Sequence, residues 1–231
     1  MKKSRYFILS LCIATALFFI PFFWLDTGFV DLGGDGGRLY FLDPAAILRN
    51  TWDFPGSYVY SYANIGYLLF QSFIAQFIQS PTYRITFEYG LQLGLSFLGV
   101  FLVVNELLRS SGKKYNHDTL SLVSVVAGIT YVVFITKIGW PVALLTLNQV
   151  FLNPLMFYLL LKFFLENNFR YVLAAIGLSF VFAPNFALTS APPFFAFYPL
   201  AMCYLLLYTR YVIHKTIPWK WLLVGGSLFV G

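Results

Sequence analysis

Residues 86–108 read TFEYGLQLGLSFLGVFLVVNELL, a stretch long and apolar enough to cross a lipid bilayer as a helix. A membrane-spanning helix needs about 20 mostly apolar residues. Similar runs lie on both sides of this stretch, and across the whole chain 59% of residues are hydrophobic and 10% are charged. Soluble domains carry roughly 25% charged residues. The sequence therefore predicts an all-α, polytopic transmembrane helix bundle.

Outward from this stretch, about seven spans are predicted in a single transmembrane domain over residues 1–231. They are 6–24, 86–108, 119–136, 141–165, 171–190, 194–213 and an apolar run that begins at 219. The last run ends too early to cross a bilayer, so we expect the chain to be the N-terminal part of a longer protein. The first run could also be a secretory signal with a cleavage triplet at 14–16. Its hydrophobicity continues through 17–23, which favours an uncleaved helix.

Residues 62–79 form a shorter apolar run, in which polar side chains gather on the helical face opposite Phe70, Phe73 and Phe77. This pattern is typical of a helix that lies in the membrane interface. If the run crossed the membrane, five Lys and Arg residues would lie inside and ten outside. If it lies flat on the outer side, eleven lie inside and four outside, namely Arg38, Arg49, Arg84 and Lys137. The positive-inside rule favours the second arrangement, with a cytoplasmic N-terminus and a long outer loop over 25–85.

The outer loop holds five of the nine acidic residues: Asp26, Asp31, Asp35, Asp43 and Asp53. Glycines at positions 33, 34, 36 and 37 surround Asp35 and allow the backbone to approach a ligand closely. Arg38 supplies a planar fork of donors suited to phosphate. Carboxylates for base catalysis or metal binding, glycines for close approach and an arginine for phosphate make this segment the candidate site.

Simpler interpretations compete for several of these residues. The glycine-aspartate run around Asp35 could be only a turn. Asp43 precedes Pro44 and is most simply the N-cap of a helix, while Asp53 is more simply a solvated loop residue. No Asp, Glu, Lys or Arg lies near the middle of a predicted span, which argues against proton relays and ion pumps. The formal charge of +6 is divided among clusters beside apolar runs, so a nucleic-acid groove is not expected.

The loop also carries a family resemblance. The run Asp26-Thr27, Asp31-Leu32, Asp35, Arg38-Leu39 and Leu42-Asp43-Pro44, with the later Tyr60–Tyr67, resembles the N-terminal region of mycobacterial-type α-(1→3)-arabinofuranosyltransferases and their prokaryotic relatives. These enzymes belong to the GT-C glycosyltransferase superfamily. The resemblance covers roughly residues 15–80, and beyond them only the hydropathy pattern agrees. Such enzymes usually have more spans than this chain, which again predicts an N-terminal part.

The resemblance implies an integral enzyme of a prokaryotic plasma membrane. It would move a sugar from a polyprenyl-phosphate donor to a glycan, lipid or protein acceptor on the outer face, in contact with membrane lipids. Asp26 or Asp31 would be the general base, and Asp35 a base or a metal ligand. The leaving phosphate would be stabilised by Arg38 or Arg49, or by a divalent metal, Mg²⁺ or Mn²⁺, held by Asp31 and Asp35.

Two rival interpretations come from other functional classes. A lipid-linked glycan transporter should line a midplane cavity with polar groups, and the sequence offers Asn148, Gln149 and Asn153 for this purpose. A non-enzymatic membrane assembly protein would leave the acidic, glycine-rich segment without a role. The sequence therefore favours the glycosyltransferase.

Overall fold

The computed structural model describes residues 2–23, 43–53, 65–112, 115–137, 149–182, 200–201 and 203–213. These residues form helices, turns and short connections, and contain no strand. The helices are α1 (Lys2–Phe19, continued by a 3-10 turn Ile20–Phe23), α2 (Pro44–Asp53), α3 (Ile65–Phe77), α4 (Pro81–Ser110), α5 (His117–Lys137), α6 (Gln149–Glu166) and α7 (Arg170–Phe182). A final helical segment comprises residues 200–201 and 203–207 and a π-helical turn Tyr208–Val212. The all-α fold class is confirmed for the described part of the chain.

Three of these helices are long and apolar enough to cross a membrane: Tyr6–Phe23, Pro81–Ser110 and His117–Thr136. They coincide with the predicted spans 6–24, 86–108 and 119–136. Helices α6 and α7 overlap the predicted spans 141–165 and 171–190. The structure is thus that of a helical membrane protein, while the number of seven spans stays a prediction.

Helix α4 is the centre of the bundle. It is 30 residues long, so it extends about 45 Å and exceeds the roughly 30 Å hydrocarbon thickness of a bilayer. It starts before the predicted span because Ser80 has an extended backbone and Pro81 occupies the first turn, where proline's fixed φ favours a helix start. Helices α1, α5 and α6 all pack along it.

Glycines on α4 allow helix α1 to pack at backbone distance. A Cβ atom added at Gly90 would lie 2.5 Å from the carbonyl oxygen of Phe18, and one added at Gly94 would lie 2.9 Å from that of Ala14. Small residues at such positions let helices in membranes approach closely. The rings of Phe18 and Phe87 also meet edge to face, with centroids 5.4 Å apart. Helix α1 therefore runs antiparallel to α4.

We expect Gly90→Ala to destabilise the detergent-solubilised protein by about 1–3 kcal/mol, because the new methyl group collides with backbone rather than with a movable side chain. Gly177 on α7 is the matched control, since nothing lies within 4 Å of a Cβ atom added there. Gly177→Ala should be neutral or stabilising by up to about 1 kcal/mol. Thermal unfolding followed by circular dichroism measures both variants. Equal unfolding temperatures would contradict the close approach of α1 and α4.

The helices alternate in direction around α4. Helix α6 runs parallel to α4, because Leu155 lies beside Gly99 and the Lys162 ammonium lies 3.4 Å from a Glu106 carboxylate oxygen. The final segment returns beside the end of α4, where the Tyr208 hydroxyl donates to the Leu107 carbonyl over 2.8 Å. The C-terminal end of α4 thus shares one end of the bundle with the start of α1 and the start of α5.

Basic residues are distributed unequally between the two ends of the bundle. Around the C-terminal end of α4 lie the described cations Arg109, Lys162, Arg170 and Arg210, whereas Arg84 lies at the N-terminal end with Asp43 near it. This separation follows the division that the positive-inside rule predicts. Which end faces the cell interior stays a prediction.

Thiol labelling tests that orientation. In a background without Cys12 and Cys203, both of which are free and exposed, a cysteine at Ser57 should react with an impermeant thiol reagent added outside intact cells. A cysteine at Ser111, directly after α4, should react only after the membrane is opened. Labelling of the Ser111→Cys variant from outside would reverse the predicted topology.

An ionic network lies at the C-terminal end of α4. Lys162 donates to Glu106 and to Glu166, and the Tyr171 hydroxyl donates to the Glu166 carboxylate over 2.6 Å. These two donors hold the pKa of Glu166, at the end of α6, below its usual value. A lowered carboxyl pKa stabilises the fold above the unfolded-state pKa, and this contribution is lost as the pH falls through the folded-state pKa. The contribution is small because Glu166 is exposed.

Candidate functional site

Most of the predicted site residues lie outside the described residues. These are Asp26, Asp31, Asp35 and Arg38, so the proposed base, the possible metal ligands and one phosphate-binding residue have no described surroundings. Arg49 is described and lies exposed on α2. Among the described residues, no group of three or more His, Cys, Asp or Glu could hold a metal ion.

The structure does describe the residues that flank the acidic segment 24–42 on both sides. Its first end follows the 3-10 turn Ile20–Phe23, which packs against α4 beyond the Phe18–Phe87 contact. Its second end joins Asp43, whose carboxylate lies close enough to the Arg84 guanidinium to interact with it electrostatically. Both attachment points therefore lie at the N-terminal end of α4.

Asp43 caps helix α2, as the Asp-Pro sequence predicts. Its carboxylate oxygen Oδ1 accepts a hydrogen bond from the Ala46 amide over 2.9 Å, and its carbonyl accepts one from the Ile47 amide over 3.2 Å. This satisfies an amide that the first helical turn leaves without an intrahelical partner. Asp53 is the last residue of α2 and does not lie in an irregular loop, while its exposure to solvent stays a prediction.

Helix α3 is shorter than the run from which it was predicted. It has 13 residues, about 20 Å, against the predicted 62–79, so it does not reach across a hydrocarbon layer of about 30 Å. Gln71 lies on its buried face, while Phe73 and Phe77 are exposed. Its position in the membrane interface stays a prediction.

Arg84 fixes the connection between α3 and α4. Its side chain is buried, and Nη1 donates to the carbonyls of Ile78 and Gln79 over 2.7 and 2.8 Å. Carbonyls beyond the end of a helix lack intrahelical partners and attract cations. The same guanidinium interacts electrostatically with Asp43 at the start of α2.

A polar stripe continues from this point into the interior of the bundle. It consists of Glu88, Gln92 and Ser96, which follow one another at helical-turn spacing on α4 and are all 0% exposed. Gln71 of α3, 1% exposed, donates from Nε2 to a Glu88 carboxylate oxygen over 3.2 Å. Burying such groups inside an apolar bundle is costly unless they are hydrogen-bonded. Proteins bury polar side chains despite this free-energy cost where those side chains bind a polar ligand, among other places.

Gln71 and Ser96 each have a buried polar atom that can form a further hydrogen bond. Gln71 Oε1 and Ser96 Oγ are buried and have no hydrogen-bond partner among the described residues. An amide oxygen accepts hydrogen bonds, and a serine hydroxyl both donates and accepts them. Each atom can therefore form a further hydrogen bond with a polar group.

Comparisons with protein-family models, with curated proteins and with solved structures found no match. The resemblance to GT-C enzymes therefore rests on the residues of the outer loop.

The polar stripe is the feature that sequence reasoning missed. Glu88, Gln92 and Ser96 fall at i, i+4 and i+8 within residues 86–108, and this spacing alone could have indicated a polar face. The sequence instead indicates that Glu88 pairs with Arg84 at i, i+4 on the same helix. Its contact with Gln71 crosses between two helices, which periodicity within one helix does not predict.

Proposed function

We propose that the protein is a membrane glycosyltransferase of the GT-C type. It moves a sugar from a polyprenyl-phosphate donor to an acceptor hydroxyl on the outer face of a prokaryotic plasma membrane. The observation that carries the proposal is the attachment of both ends of the acidic segment at the N-terminal end of α4, where the polar stripe begins.

Sugar transfer needs a general base, an acceptor hydroxyl that reaches the anomeric carbon, and cations that stabilise the leaving phosphate. A carboxylate, Asp26 or Asp31, takes the proton from the acceptor hydroxyl as its oxygen attacks the anomeric carbon of the donor sugar. The bond between that carbon and the phosphate oxygen breaks, and the polyprenyl phosphate leaves with the electron pair. Cations stabilise the charge that develops on this phosphate. Arg38 and Arg49 are suited to that role, with Asp35 as a second base or, with Asp31, a ligand for Mg²⁺ or Mn²⁺.

In this proposal, buried polar residues also bind the sugar. Gln71 and Ser96 present buried hydrogen-bonding atoms, and Glu88 presents a carboxylate to Gln71. Amides, hydroxyls and carboxylates placed among apolar side chains orient small polar ligands. In this proposal the loop supplies the reacting groups, and the polar stripe holds hydroxyl groups of the sugar.

The experiment is a transfer assay with the full-length protein in lipid nanodiscs. A panel of polyprenyl-phosphate pentoses and hexoses carries a radioactive sugar, and the product is a labelled acceptor glycoside. Transfer from at least one donor, with release of polyprenyl phosphate, is the expected result. Absence of transfer from every donor and acceptor, by protein that remains folded, would reject the proposal.

A lipid-linked glycan transporter is a second candidate, favoured by the same polar stripe. Glu88, Gln92 and Ser96 lie inside the bundle, where a translocation path needs polar groups. In liposomes a transporter moves a fluorescent lipid-linked glycan from one leaflet to the other and forms no glycoside. The transferase forms a glycoside and leaves the distribution of the donor unchanged.

A further inference from the structure

A cleft opens at the other end of the bundle, away from the acidic segment. It lies between the start of α1, the last turns of α4 and the start of α5, and it encloses about 150 Å³. Tyr6, Asn105, Arg109, His117 and Ser121 form its polar lining. The transfer chemistry uses none of these residues.

The polar lining suits a phosphate group. The Arg109 guanidinium is exposed at the rim, and its planar fork matches two phosphate oxygens. The buried side chains of Asn105 and Ser121 add an amide and a hydroxyl, which can donate to further oxygens. His117 adds an imidazole ring, whose nitrogens form hydrogen bonds.

One acidic group lies close to the cleft. Asp118 follows His117, and its carboxylate accepts a hydrogen bond from the Tyr6 hydroxyl. This bond ties the start of α5 to the start of α1 and engages one carboxylate oxygen. Asp118 does not itself line the cleft, so the described lining contains the Arg109 guanidinium and no carboxylate.

The remaining walls of the cleft are apolar and lead to the outer surface of the bundle. Phe7, Phe101 and Leu102 complete the lining. Phe7 is 53% exposed, and one helical turn further along α1 Leu11 is 48% exposed. A ligand with a phosphate group in the cleft therefore meets apolar side chains along the outside of α1.

We propose that this cleft binds the phosphate headgroup of an anionic phospholipid, whose acyl chains lie along Phe7 and Leu11. The commitment to a lipid rests on the combination of a cationic, polar cleft with an exposed apolar strip that continues from it on a helix able to cross a membrane. Basic pockets between transmembrane helices are established sites for anionic headgroups. The proposal does not depend on the glycosyltransferase assignment.

Thermal shifts of the purified protein in mild detergent test the proposal, because a ligand that binds the folded state raises its unfolding temperature. Phosphatidylglycerol should raise the temperature in a saturable way, and phosphatidylcholine should not. Arg109→Gln should weaken the apparent affinity for phosphatidylglycerol about tenfold or more, since a charge-assisted pair of hydrogen bonds is lost. Arg109→Lys, which keeps the charge but not the fork, should fall between Arg109→Gln and the unaltered protein.

Arg170→Gln is the matched control. Arg170 is exposed at the same end of the bundle and does not line the cleft, so its loss should leave the lipid response unchanged. Equal weakening by Arg109→Gln and Arg170→Gln would overturn the proposal in favour of general surface charge. An equal response to phosphatidylcholine, or full competition by inorganic phosphate alone, would also overturn it. Unfolding temperatures without lipid show whether each variant is folded.

Discussion

Asn in place of the catalytic carboxylate among Asp26, Asp31 and Asp35 should lower the rate of sugar transfer by about 10²–10⁴-fold, the usual contribution of a general base. Asn has nearly the size of Asp but accepts no proton at neutral pH, so the acceptor hydroxyl keeps its proton in the attack. The measurement is transfer from a polyprenyl-phosphate sugar by each single variant in nanodiscs, with expression level and unfolding temperature as controls for folding.

Asp43→Asn is the matched control for this series. Asp43 caps α2 through its side chain, and Asn caps helices about as well as Asp, so this variant should keep most of its activity. If none of the three other aspartate variants lost activity, the acidic segment would not be the active site. The transporter would then be the better interpretation of the polar stripe.

The second large effect concerns Gln71 and Glu88. Glu88→Leu alone should destabilise the protein by about 1–3 kcal/mol, because it leaves the buried Gln71 amide without its acceptor. The double variant Gln71→Leu/Glu88→Leu should recover much of this loss, since replacing both partners of a buried hydrogen bond by apolar groups can be nearly neutral. A double-mutant cycle on unfolding free energies isolates the coupling.

Activity separates a sugar-binding role from a purely structural one. The folded double variant should show a KM for the donor raised roughly tenfold or more, because hydrogen bonds to the sugar are lost along with the pair. Glu88→Gln, which keeps a hydrogen-bond acceptor for Gln71, should be affected less than Glu88→Leu in stability. Normal KM and kcat in a stable double variant would restrict Gln71 and Glu88 to a structural role.

Hydropathy predicted where the long helices lie, because a run such as 86–108 has only one stable form in a bilayer. The Asp43 cap was also predictable, since Asp followed by Pro has a local preference that depends on few neighbours. The ends of α3 and α4 were not, because they depend on the connection at 78–80 and on Arg84, which donates to two carbonyls of that connection.

The burial of the polar stripe could not be predicted from sequence, because burial depends on which helices become neighbours. Gln71 and Glu88 are 17 positions apart, on two helices, and nothing local to either residue states that they meet. The electrostatic interaction of Asp43 with Arg84 likewise depends on the tertiary fold. What sequence predicted was the chemistry of the acidic segment, and what the structure added is the position of its two ends.

Arg84 serves two neighbouring segments at once. One guanidinium donates to the two carbonyls that follow α3 and interacts electrostatically with Asp43, the cap of α2. A substitution at position 84 would therefore disturb the connection between α3 and α4 and the charge near Asp43 at the same time.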